Sequence, residues 1–211
     1  MPAVPERVPA GRAGRLWLID RLAAAQRGAE LLDRKRQLLR RDRDRLRLLA
    51  ERRRSELEAA FADAEQWALR AALLGGAAEL ALVARSVADR AEVTVTWQNT
   101  MGAVHPGDAR CRLPVLAPID GAASNAALAP TAAAYRRVLD LAAGVAVAES
   151  ARDLVAAELA ATQRRLRAIA HHRVPALGAA LQQLEQQLDE HEREDRVIER
   201  WARRRRGGGE R

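Results

Sequence analysis

Between Leu18 and Leu74 the chain keeps one repeat, stepping alternately four and three residues. The positions are Leu18, Leu22, Ala25, Ala29, Leu32, Arg36, Leu39, Arg43, Leu46, Ala50, Arg53, Leu57, Ala60, Ala64, Trp67, Ala71 and Leu74. Of these 17 positions, 14 are apolar and three are arginine. A free helix drifts out of phase with a seven-residue repeat. A phase held for about eight heptads therefore calls for a second helix wound around the first in a left-handed coiled coil. No proline interrupts the run. At a rise of ~1.5 Å per residue it would span roughly 85 Å.

A second periodic segment runs from Thr131 to Arg204. Leu159, Thr162, Leu166 and Ile169 form one seam; Leu177, Leu181, Leu184, Leu188, His191, Asp195 and Ile198 form another, set off by one extra residue near Arg173. Pro175 lies at the shift and removes a helix hydrogen bond, so a bent or locally unwound helix is expected there. Composition agrees with long helices. Aromatic residues are only 3% of the chain while charged residues are 30%, too few large rings for a broad globular core.

The character changes between the two segments. Gly75-Gly76 is expected to break the first helix, and Ala77 to Arg90 reads as a short helix with Leu80 and Val83 or Val87 on one face. Val93, Val95 and Trp97 alternate with Thr94 and Thr96 in the period of a strand from Glu92 to Trp97. Arg112 to Leu116 is the candidate partner strand, with Gly102, Pro106 and Gly107 as the turn. Ile119 to Pro130 reads as a linker. The expected organisation is a flexible start over residues 1–14, a first coiled-coil helix over 15–74, a head over 75–130, a second helix over 131–204 kinked near Pro175, and a tail over 205–211. The economical fold is mainly α: a long antiparallel two-helix coiled coil with a small inserted head of one short helix and a β-hairpin, both termini at one tip and the head at the other. A parallel homodimer through the first helix would leave the second seam without a partner. A hairpin alone is barely stable, so Val93, Val95 and Trp97 are expected to bury one face on the head's own helix or on a partner.

Several function classes are weakened by the residues themselves. Net charge is +8, but 36 cations are mixed with 28 anions, and the one dense run, Arg203 to Arg206, precedes three glycines at the terminus. A basic coiled-coil adaptor or nucleic-acid binder, the competing class, would want a one-sided cationic stripe and stacking platforms; a steep salt dependence of DNA binding would support it. The sole lysine, Lys35, lacks the glycines of a phosphate-binding loop, and long paired rods offer no cleft in which to shift a pKa or exclude water. No catalytic residue, cofactor or metal is expected. His171-His172 point about 100° apart on a helix, with no second pair at ligand spacing. Cys111 is alone, no stretch approaches a membrane span, and the N-terminus has no signal-like apolar segment. A soluble, cytosolic chain that reaches a membrane only through partners is the expectation.

Several stretches, in order along nearly the whole chain, resemble the D subunit of V/A-type rotary ATPases. Leu18, Leu22, Ala25, Arg27-Gly28, Leu31-Leu32 and Lys35-Arg36 are similar to its opening signature. Asn99-Thr100-Met101-Gly102 with Pro106 resembles its middle motif, and Thr162 to Ile169 its arginine-rich stretch. Val174-Pro175 and Leu188-Asp189-Glu190-His191-Glu192-Arg193-Glu194 resemble the segments that follow. Gln163, Arg167 and Ala170 depart from the family's Arg, Asn and Glu, the mark of a divergent member. The resemblance implies the central stalk: a shaft inside a hexamer of A and B subunits, its head bound to the F subunit and resting on a funnel-shaped subunit above the membrane ring. It also implies a place on the cytoplasmic side of the membrane, peripheral, through the complex. ATP hydrolysis would turn the shaft, or ion flow would turn it to make ATP. The implied shaft contacts are Leu22, Arg27, Gly28, Arg36, Arg43, Arg164, Arg165, Leu188, Glu192 and Arg193; those of the head are Val93, Val95, Trp97 and Met101. The seam residues Arg36, Arg43 and Arg53 are expected to snorkel or to pair with acids on the partner helix, because an unpaired buried charge is costly. Gly28, about 1 kcal/mol poorer than Ala in a helix, is expected to permit a close approach of the two helices.

Overall fold

A computed structural model of the chain describes residues 8–85, 90–114 and 125–207. The first helix, α1, is Gly11–Arg85. A hairpin follows, with β1 at Glu92–Thr100 and β2 at Ala103–Arg112. The C-terminal half is α2, Leu128–Ala168, a five-residue π-helical turn at Ile169–Arg173, and α3, Val174–Gly207. Internal contacts divide the chain into two units, Met1–Arg36 with Ala161–Arg211, and Gln37–Ala160.

In the first unit α1 pairs with α3. Leu18, Ala25 and Leu177 are buried together, with Leu22, Ile169, Leu181 and Leu184 packed against them. Arg15 bonds Glu185 at 2.8 Å, and Arg12, one turn earlier, bonds Glu192 at 3.1 Å. Moving toward the start of α1 thus moves toward the end of α3, which makes the pair antiparallel. In the second unit the same sense holds. Leu39 and Leu46 of α1 share a core with Ala151, Val155 and Leu159 of α2, while Ala60 and Ala64 pack on Val138. Farther along α1, the Ala71 carbonyl accepts the side-chain amide of Asn125 at 2.9 Å. The fold is mainly α, an antiparallel helix pairing with an inserted β-hairpin.

The heptad seam is where the core lies. Leu18, Ala25, Leu39, Leu46, Ala50, Ala60, Ala64 and Ala71 are buried, and of the 17 seam positions only Leu74 is exposed. Burying each Leu contributes about 1.5–3 kcal/mol. Leu74 is exposed for a simple reason: α2 begins at Leu128 and Asn125 already faces Ala71. Beyond Ala71, α1 has no helix opposite it among the described residues. At the other end, His191, Asp195 and Ile198 are exposed and lie outside the α3 seam that their spacing suggests. Arg12 opposite Glu192 is almost the first residue of α1, which begins at Gly11.

The shift near Pro175 takes the form of an inserted residue. The Val174 N–H reaches the Ile169 carbonyl five residues back, and a π turn adds one residue to the helix without ending it. Leu177 thereby returns to the buried face eight residues after Ile169 instead of seven. Pro175, which has no N–H to donate, follows directly.

Four expectations are corrected. Gly75-Gly76 does not break α1, which continues to Arg85; two glycines cost ~2 kcal/mol, less than it takes to end a long cooperative helix. The separate short helix over Ala77 to Arg90 is therefore absent as far as Arg85, while the face formed by Leu80, Val83 and Val87 lies outside the described side chains. The second strand is Ala103–Arg112, not Arg112 to Leu116, of which Val115 and Leu116 lie outside the described residues. The hairpin also does not cap a tip of the helix pair, because Ala103 packs alongside it among Leu39, Leu46, Val155 and Leu159. The first half of the expected linker, Ile119 to Ser124, and residues 1–7 and 208–211 of the two terminal segments also fall outside the described residues; α1 already begins at Gly11 and α2 at Leu128.

The strand limits follow from the turn. Met101 has φ 51° and Gly102 φ 89°, two successive left-handed residues that make the tight reversal twisted hairpins favour. Asn99 closes it by accepting the Gly102 N–H through Oδ1 at 2.9 Å. The register pairs Thr96 with Asp108 but Trp97 with Pro106, leaving Gly107 as an extra residue. At this bulge Pro106 gives up no ladder bond. A Cβ on Gly107 would come within 2.6 Å of the exposed Gln98 side chain, which would have to move aside.

Candidate interaction surfaces

Burial separates the anticipated contact residues into two groups. Leu22 and Leu188 are half-buried seam residues of the α1–α3 pair, and Leu22 packs directly on its core. Arg27, Arg164, Arg165, Glu192 and Arg193 are exposed. Glu192 is shared between Arg12 across the pair and Arg196 one turn on, and Arg193 leans on Glu190 at 3.4 Å. Pairs so exposed contribute little to stability, which leaves these charges available to a partner.

The three seam arginines find different partners, two of them on α1 itself and one on the facing helix. Arg36 pairs with Asp33 at 2.7 Å and Arg43 with Asp44 at 2.8 Å, both acids on α1 itself and not on the opposite helix. Arg43 Nε is buried without a hydrogen-bond partner among the described residues. Arg53 crosses to α2 and donates to the Gly144 carbonyl at 2.8 Å. A Cβ on Gly144 would sit 3.5 Å from the guanidinium, an ordinary contact, so the bond does not depend on the glycine. Acids on the facing helix pair instead with arginines flanking the seam, as in Arg54 with Glu149. Beside them, an Arg152 hydrogen bond holds the exposed Asp153 carboxyl below the usual carboxylate range.

Gly28 corrects a further expectation. A Cβ built on it meets nothing within 4 Å, so no close helix approach depends on it. Gly144 does have a neighbour across the pair, the Arg53 side chain, but a Cβ there would meet it only at an ordinary contact distance of 3.5 Å. Sequence reasoning passes over it because it lies in an Ala-rich stretch outside the matched motifs.

The hairpin presents the clearest exposed apolar surface. Val93, Val95, Trp97 and Met101 are 55%, 37%, 63% and 46% exposed. They do not bury themselves on the chain's own helices, which removes one of the two expected destinations. β2 holds the hairpin on the helices instead, through Ala103 and His105. His105 is 2% exposed, with Nδ1 3.0 Å from the Pro106 carbonyl and Nε2 3.1 Å from the Thr100 hydroxyl. A carbonyl can only accept, so in the neutral ring Nδ1 carries the proton and Thr100 donates to Nε2. Neither His105 nor Asn125 stands out in the sequence. Asn125 starts α2 by accepting the Ala127 N–H at 3.1 Å while its amide holds α1; an Asn just ahead of a helical run is the signal available.

Two more apolar groups are exposed where the helices outrun their partners. Leu73 and Leu74 stand near the end of α1, and Val197, Ile198 and Trp201 near the end of α3. No described helix is long and apolar enough to cross a membrane.

The family model for the D subunit of ATP synthase matches residues 16–204. The V-type ATP synthase D subunit of Thermotoga neapolitana is 27% identical over 184 residues, covering 87% of this chain and 91% of that protein. The A-type ATP synthase D subunit of Haloquadratum walsbyi is 27% identical over 193 residues, covering 90% of this chain and 83% of the relative. The match takes in α1 from Leu16, the hairpin, the π turn and α3 as far as Arg204, and the chain belongs to the family of ATP synthase D subunits.

Proposed function

We propose that the chain is the central rotor shaft of a V/A-type rotary ATPase, coupling ATP hydrolysis or synthesis in a hexamer of A and B subunits to ion translocation across a membrane. The observation that carries this is α1 itself: 75 residues of unbroken helix whose seam stays buried from Leu18 to Ala71. A torque-bearing element must resist bending and twisting, and close-packed helices with a continuous Ala/Leu seam do so better than loops or a lone helix.

The exposed groups receive roles on the same reading. Val93, Val95, Trp97 and Met101 dock on the F subunit or on the funnel-shaped subunit of the membrane side. Arg27, Arg36, Arg43, Arg164, Arg165, Glu192 and Arg193 face the hexamer, whereas Leu22, Gly28 and Leu188 contribute to the shaft. The chain does no chemistry of its own; its asymmetry presents a different surface to each A/B interface. It is peripheral, on the cytoplasmic side, held through the complex. Co-expression with candidate A, B and F subunits tests the proposal. ATPase turnover coupled to ion movement, and a stable one-to-one complex with the F subunit, should both require this chain. A hexamer that couples equally well without it would overturn the assignment.

A further inference from the structure

Between the hairpin and the helix pair of the second unit lies a cavity of about 430 Å³. Arg45, Arg52 and Arg53 line it, together with Gln98 and Gly107 of the hairpin. No Asp or Glu is among its lining residues. Much of the remaining lining is apolar, including Leu46 and Leu49 of α1 and Val147 and Ala148 of α2.

Two of its polar groups, Arg53 and His105, are held in place by the fold. Arg53 is anchored by the Gly144 carbonyl at 2.8 Å, which spends one N–H and leaves the rest of its fork. Gln98 is packed against Gly107, and His105 is held at both nitrogens. Nearby acids are engaged elsewhere, Glu149 by Arg54 and Glu51 by Arg47. Only Asp42 reaches one of the three arginines, meeting Arg45 at 3.8 Å on an exposed surface. Arg52 makes no ion pair among the described residues. The site thus combines a cluster of three guanidinium groups, only one of them paired with an acid, with an apolar lining, in a volume within the ~300–1,000 Å³ of small-molecule pockets.

From this we infer a binding site for a small phosphate-bearing molecule. Planar guanidinium forks suit phosphate oxygens two at a time, and the Leu and Val wall suits an organic moiety attached to the phosphate. The site lies within one unit, and the inference holds whether or not the chain is a rotor shaft.

Calorimetric titration of the full-length chain at low ionic strength, with pyrophosphate, ATP and adenosine as probes, tests this. Saturable one-to-one binding of pyrophosphate or ATP, absent with adenosine and weakened by added salt, is the expected result. ATP binding more tightly than pyrophosphate would show that the apolar wall takes part; equal affinities would restrict recognition to the phosphates, still at this site. The double variant Arg45→Gln/Arg52→Gln, on exposed helix positions that do not threaten folding, should bind at least about tenfold more weakly. Arg110→Gln, on the exposed part of β2 outside the cavity, should bind like the parent. No saturable binding, or equal weakening by Arg110→Gln and the double variant, would overturn the inference.

Discussion

The helix pairing and the hairpin use the same kinds of residue in opposite ways. Along α1 the apolar residues of the seam point inward, and Leu18, Leu39, Ala64 and Ala71 have no accessible surface. Along β1 every residue from Glu92 to Asn99 is exposed, with Val93 and Trp97 more than half so. A long helix satisfies its own backbone and needs only one narrow stripe covered. A two-stranded sheet has two faces and open edges, and this one covers only the part of β2 that carries Ala103 and His105. The seam is covered within the chain; the apolar face of the hairpin is left open among the described residues.

That contrast can be broken by experiment, most severely in the seam. Leu39→Ala should remove about 2–5 kcal/mol of unfolding free energy, through lost transfer energy and a cavity beside Val155, read from urea denaturation followed by helical circular dichroism. Trp97→Ser in β1 should change the same measurement by no more than ~0.5 kcal/mol while weakening any complex made through the hairpin. A seam variant as mild as the hairpin variant would erase the distinction. Asn125→Ala comes next, at about 1–2 kcal/mol, since it removes a helix cap and leaves the Ala71 carbonyl without its side-chain donor.

Two substitutions should stabilise. Gly28→Ala adds a Cβ into open space within α1 and should gain about 1 kcal/mol; a loss would restore the close-approach reading of that glycine. Met101→Gly relieves a left-handed residue at the hairpin turn and should gain up to about 1 kcal/mol, seen as a rise in melting temperature. The smallest effect concerns acid. Asp153 is held below its usual range by Arg152, so its contribution is present above the unfolded carboxylate range and fades as pH falls through the lower folded value. Because the pair is exposed, comparing Asp153→Asn with the parent across that range should reveal only a slight difference.

Much of this architecture is legible in the residues alone, and the reason is periodicity. A heptad repeat states both the element and the face it buries, so sixteen of the seventeen seam positions lie at least half-buried. The offset between Ile169 and Leu177 is readable too, because one extra residue must be absorbed somewhere and Pro175 marks the place. Local signals without a period are weaker. Gly75-Gly76 has the look of a break, yet whether a helix ends depends on what it continues into. Pro106 and Gly107 have the composition of a turn but form a bulge, since Met101-Gly102 reverses the chain first. Gly28 and Gly144 differ only in what stands across from them, which no local pattern records. The exposed ends of α1 and α3 carry seam spacing because a repeat does not say where its partner stops.

The pairing of α1 with the C-terminal half of the same molecule is the claim beneath all of this, and paired cysteines test it most directly. In a Cys111→Ser background, Leu18→Cys with Leu177→Cys should cross-link within a single chain and leave it at monomer mass. Leu18→Cys alone should give no covalent dimer. Covalent dimers from the single variant, with no internal link in the double one, would mean that α1 zips to another copy of itself, contradicting the fold described here.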